Sequence, residues 1–161
     1  MRHVIGLAAL VAALVLLVSP ALADSPHFIS ASASIDASSG ALVCAFKEAG
    51  LGNTLASEHI TCSADASATW ACINGGGNHP KAANKETVNG PLVSGGDFPV
   101  RNGQTTGTLS VGPLGPGAFA CPPGQSLVLS AVSYTNITLT GQAGDTANVP
   151  GSLSLVLVAL S

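Results

Sequence analysis

The chain is 161 residues long with a formal net charge of −3, and only 8% of its residues are charged against 47% hydrophobic. Apolar content this high excludes a disordered polymer, since it supports a buried core. The few Lys and Arg residues never cluster, which excludes an electrostatic nucleic-acid binder and a polybasic membrane anchor.

In chain order, Arg2 and His3 form a short basic start, and 4–18 is an unbroken apolar or small-residue run. That run is shorter than the about 20 residues a spanning helix needs. Ser19-Pro20 breaks it, and Ala21-Leu22-Ala23 supplies a small-x-small cleavage pattern. The expectation is a signal peptide over 1–23 cleaved near Ala23, and a secreted, extracellular or cell-surface product, 24–161, forming a single β-sandwich domain. The apolar stretch 153–160 is too short for a membrane span, so none is expected in the mature chain.

Residues 27–36 alternate, with Ile29, Ala31, Ala33 and Ile35 on one side and Ser30, Ser32, Ser34 and Asp36 on the other, the period of a half-buried strand. Ser38-Ser39-Gly40 turns the chain, and 41–47 follows as a strand with Leu42, Cys44 and Phe46 facing one way. A glycine-rich loop, 48–57, leads to two expected strands, 58–64 and 67–73, joined tightly at Asp65-Ala66. Trp70 and Cys72 share a face, which suits a tryptophan packed beside a disulfide. Residues 81–87 have helical propensity for one or two turns at most. Strands are then expected at 91–101 and 104–111, joined by Asn102-Gly103, the strongest short hairpin signal in the chain. Beyond the loop 112–117, strands are expected at 125–132, 133–140 and 152–160, with a polar loop over 141–150. About eight or nine short strands predict an all-β, antiparallel, immunoglobulin-like β-sandwich, with a β-barrel as the alternative.

Four cysteines in an exported chain predict two disulfides. Cys44 and Cys62 are equidistant from Asn53, so a hairpin folded there would oppose them. Cys72 and Cys121 each end an apolar run and open a Gly/Pro loop. The expected bonds are Cys44–Cys62 and Cys72–Cys121. No CxxC or HxxxH spacing suggests a metal site, and no cofactor motif is present.

The unusual chemistry lies in 72–87. Asn74, Gly75, Gly76, Gly77, Asn78, His79, Lys81, Lys85 and Glu86 are the candidate ligand- or partner-binding residues. Consecutive glycines let a backbone approach a ligand and present several N–H groups together, although the lysine-serine of a phosphate loop is missing. The competing structural reading is that the glycines merely let the chain leave a strand beside a disulfide. Glu48 and Glu58 bracket the loop between Cys44 and Cys62 as paired carboxylates, without glycosidase spacing. No Gly-x-Ser-x-Gly elbow occurs, and no catalytic residue is assigned.

The stretches Phe46-Lys-Glu-Ala-Gly-Leu-Gly52, Asn78-His-Pro-Lys-Ala-Ala-Asn-Lys-Glu-Thr87 and Cys121-Pro-Pro-Gly-Gln-Ser-Leu-Val-Leu-Ser-Ala-Val-Ser-Tyr134 resemble a group of small secreted actinobacterial proteins without an assigned activity. The resemblance implies export and a β-rich fold and carries over no catalytic residues. In size and composition the chain is also similar to the neocarzinostatin-type apoproteins, without their short-range cysteine pairings, and in size and cysteine count to secreted subtilisin inhibitors, without their reactive-site context.

Three functional expectations follow. The first is a non-enzymatic exported binding or surface-interaction module, contacting an unidentified protein or small molecule through 74–87 and the 46–53 tip. The second is a small apolar-ligand carrier, which needs a cleft between the sheets. The third is a small hydrolase, which needs His59 or His79 beside Glu48, Glu58 or Glu86 in one concave site.

Overall fold

A computed structural model describes residues 25–74 and 84–160. The expected signal peptide and the residues Gly75–Lys81 lie outside the described residues. Eight strands are described: β1 (His27–Ile35), β2 (Leu42–Ala49), β3 (Ser57–Asn74), β4 (Lys85–Pro99), β5 (Gln104–Val111), β6 (Gln125–Gly141), β7 (Thr146–Val149) and β8 (Leu153–Val156). There is no helix among the described residues. The strands form two antiparallel sheets in a sandwich-like arrangement rather than one closed barrel. The first has the order β1-β2-β5; the second has the order β4-β3-β6-β7, with β8 also pairing with β6.

One core fills the space between the sheets. Leu42, Cys44, Phe46, Leu109 and Val111 face inward from the first sheet, and Ile60, Cys62, Val132, Tyr134, Ile137 and Leu139 from the second. Alternation places these side chains: every second residue from Leu42 to Glu48 and from Glu58 to Ala68 is buried. Phe28, Phe46 and Phe98 stack edge-to-face, with centroid separations of 6.4 Å and 4.8 Å, the arrangement aromatic quadrupoles prefer.

Several expectations are corrected. The pair 58–64 and 67–73 is one strand, β3, and 125–132 with 133–140 is one strand, β6. Asp65-Ala66 has no positive φ with which to make a tight turn. Instead a register shift between Ser63 and Asp65 absorbs the irregularity, opposite Asn136 at φ 52°. Asn136 Nδ2 donates to Asp65 Oδ2 at 2.7 Å across that bulge. In β1, a register shift between Phe28 and Ser30 makes Phe28 rather than Ile29 the core residue and leaves Ile29 52% exposed. Lys85–Thr87 opens β4 instead of forming a helical turn, because Ala71, Trp70 and Thr69 offer it a pairing edge. The loop 141–150 contains β7.

The Asn102-Gly103 turn is present, with φ of 51° and 69° and a single bridge between Arg101 and Gln104. The two strands then part: β4 pairs with β3 and β5 with β2. A turn predicted to close a hairpin therefore joins the two sheets at a corner.

Both disulfides are formed as expected. For Cys44–Cys62 the underlying reason differs from the hairpin expectation. The loop after β2 carries the chain from one sheet to the other, so this bond ties β2 to β3 through the core. The Cys72–Cys121 bond holds the long loop 112–124 against the end of β3.

Candidate functional site

β3 places the described candidate residues, Asn74, Lys85 and Glu86, at one end of the sandwich. Asn74 is its last residue and is exposed. Lys85 and Glu86 open β4 opposite Ala71 and Trp70, and both are exposed. Cys72 N–H donates to Asn84 O at 3.0 Å, so the two described flanks of 75–83 are held together by backbone as well as by strand pairing.

The loop 112–124 lies beside these flanks. Trp70 Nε1–H donates to Leu114 O at 3.0 Å, and Leu114 packs over Gly90. Trp70 also packs against the core, which accords with a structural role and accounts for the loop's path. Between β4 and this loop lies a cleft of about 340 Å³, lined by Glu86, Val88, Pro116, Gly117, Ala118 and Phe119. Most of its lining residues are apolar, and Glu86 is the charged one among them. Disulfide Cys72–Cys121 anchors the loop that forms one side of it. The sequence marks 112–117 only as a loop and does not place Phe119 among the candidates; the cysteine at 121 was the one signal that could have tied them to Glu86.

The 46–53 tip lies at the other end. Leu51 is buried, and its N–H donates to Gly103 O at 3.1 Å, so the tip folds onto the Asn102-Gly103 corner. Strand rise over β3 separates the ends by roughly 50 Å, so this tip and the described candidates Asn74, Lys85 and Glu86 do not share one contact surface.

Glu48 and Glu58 are brought together, but indoors: they are 0% and 1% exposed. The β6–β7 turn adds Asp145, which sequence reading missed because the polar loop gives no sign that it folds inward. Glu58 Oε1 accepts a hydrogen bond from Gln142 N–H at 2.6 Å. Burial, then the charges of Asp145 and Glu58, push the Glu48 carboxyl up to about 8. Among the described residues, the side-chain oxygens of Glu48 and Asp145 are shielded from solvent. His59, next to Glu58 in sequence, points to the opposite face of β3 and pairs with Asp97 at 2.7 Å on the exposed surface. His59 therefore meets Asp97 and not Glu48 or Glu58, the carboxylates expected beside it. Among the described residues, no group of three or more His, Cys, Asp or Glu is arranged to hold a metal ion.

Two further cavities lie over the outer faces of the sheets. One of about 350 Å³ runs along Asp65, Ser67, Asn89, Ser133 and Thr135. Another of about 430 Å³ lies over Ser30, Ser32, Lys47, Thr106 and Thr108. Both present small hydroxyl side chains with few charges. No helix among the described residues is long and apolar enough to cross a membrane. Compared with protein-family models, curated proteins and solved structures, the chain matches none of them.

Proposed function

We propose that this chain is an exported, non-enzymatic binding module on an immunoglobulin-like sandwich, engaging its partner at the end that carries 74–87. The observation that carries this reading is the cleft of Glu86, Val88, Pro116 and Phe119, which takes in the candidate residue Glu86 and is braced by Cys72–Cys121. An apolar recess with a polar group among its lining, on a rigid sheet frame, is the usual form of a recognition site. The two disulfides and the inter-sheet position of Cys44–Cys62 support both export and the immunoglobulin-like comparison.

A second reading, a carrier of a small apolar molecule, draws support from the same cleft, whose volume falls at the lower end of small-molecule sites. Such a ligand would lie beside β4 and not between the sheets, where side chains fill the space.

The test is retention by immobilised mature protein. Phe119→Asp and Glu86→Arg should each weaken capture of a discrete component of culture fluid or cell-wall extract by at least about tenfold, as expected for central contacts. His59→Ala, on the outer face at the other end, should not. Equal capture by all variants, or none by the wild type, would remove the reading. Native mass spectrometry of the captured complex separates a protein partner from a small ligand.

A further inference from the structure

The three buried carboxyls at the end of the sandwich belong to three different elements. Glu48 comes from β2 in the first sheet, Glu58 from β3 in the second, and Asp145 from the turn between β6 and β7. Cross-strand neighbours of Glu48 are Phe28 on β1 and Thr105 on β5, neither of them charged. The groups acting electrostatically on Glu48 are Asp145 and Glu58, both acidic.

The turn sits directly on this cluster. A Cβ placed on Gly141 would come within 2.5 Å of Asp145 Oδ1 and 2.9 Å of Glu48 Oε1, so both oxygens press against the same bare Cα. Gly141 N–H donates to Asp145 O, and Gly144 N–H to Gly141 O, each at 3.0 Å, so the turn is tightly closed. Glu58 has a donor in Gln142 N–H. Among the described residues, neither oxygen of Glu48 nor of Asp145 meets an N–H or a hydroxyl.

A wholly buried carboxylate without a donor is costly, and two facing each other cost more. One added proton resolves the conflict, because a carboxyl O–H donates to a neighbouring carboxylate.

We propose that the β6–β7 turn is a proton-operated latch, in which one proton shared between Glu48 and Asp145 fastens the turn across the ends of both sheets and its removal loosens it. With the proton present, Glu48 O–H donates to Asp145. Without it, three anions face one another beneath a single turn with no cation among the groups that act on Glu48. The elevated Glu48 value gives the sign: its native carboxyl holds the proton more tightly than the unfolded chain does. The associated stability is therefore complete below the ordinary glutamate range and is lost as pH rises toward about 8. The latch lies at the opposite end from the cleft and stands independently of the proposed binding role.

The test follows thermal unfolding of the mature protein between pH 5 and 9, in chelator and at fixed ionic strength. The wild type should lose about 5 °C or more across that range. Glu48→Gln should flatten most of this loss, because its amide donates to Asp145 with no proton to give up. Amide-exchange protection at Gly141 and Gln142, corrected for intrinsic rates, should fall by about tenfold in the wild type at the alkaline end and hold in Glu48→Gln. Should that variant fail to fold, Asp145→Asn, whose amide donates to an ionised Glu48, carries the same expectation. An unchanged slope in the folded variants would overturn the latch. So would stabilisation of the wild type by millimolar calcium that disappears in Glu48→Gln, since the occupant would then be a cation.

Discussion

The hydroxyl of Tyr134 on β6 donates to the carbonyl of Gly40 at 2.6 Å, joining the second sheet to the turn that precedes the first sheet's central strand. The ring is fully buried, and burial raises the phenol above its ordinary value of 10.0. Tyr134→Phe should cost about 1–2 kcal/mol, because it leaves the Gly40 carbonyl unsatisfied beside the core; urea unfolding would measure this.

Tyr134 is also the chain's one tyrosine, so phenolate absorbance reports it alone. The native midpoint should lie above 10.0 and return to the ordinary value in denaturant. The sign follows: this group's stability is whole below the unfolded pKa and is lost as pH rises through the folded one. A native midpoint at the ordinary value would contradict the burial.

At the acid end, Asp36 Oδ1 accepts hydrogen bonds from the Ser38 and Ser39 hydroxyls and from both backbone N–H groups. These hold its carboxyl down at about 2, led by the Ser38 hydroxyl. Its contribution is present above the unfolded value of 3.8 and fades as pH falls toward 2. A carboxyl-detected NMR titration should place Asp36 well below 3.8, and Ser38→Ala should raise its midpoint.

The two disulfides should differ in what their loss does. Replacing Cys44 and Cys62 by Ala removes both a loop constraint and buried core volume, with an expected cost of about 2–4 kcal/mol for the constraint alone. Replacing Cys72 and Cys121 frees a larger loop, 49 residues against 18. Its distinguishing effect should be local: faster amide exchange over 112–124 and loss of the Trp70–Leu114 hydrogen bond, read by Trp70 fluorescence.

Gly107 on β5 has no room for a side chain. A Cβ there would overlap the ring of Phe98 and press on Phe46. Gly107→Ala should destabilise by about 1–3 kcal/mol with an unchanged urea m-value, the signature of an overpacked core.

Particular residues mark how far the sequence could be read. The alternation of Leu42, Cys44 and Phe46 identified a strand and its buried face, because a period of two is a local property of the extended chain. Cysteine count predicted two disulfides, and both expected pairs form, although Cys44 and Cys62 lie in different sheets and not across a hairpin. Asn102-Gly103 gave a two-residue turn, since positive φ is a residue-level preference. Of the candidate site, Asn74, Lys85 and Glu86 were legible by their chemistry, but Phe119, which shares the cleft with Glu86, was not.

By itself, then, the amino-acid order determined an all-β chain with two sulfur bridges and the turns at Ser38–Gly40 and Asn102-Gly103. These depend on backbone preference and on which side chains leave water, both set over a few neighbouring residues. Tertiary structure alone decided that β4 and β5 separate into different sheets, that Asp65 continues a strand, and that Glu48, Glu58 and Asp145 meet. Each of those outcomes turns on partners tens of residues away, whose pairing edges and buried charges exist only after the two sheets close on one another.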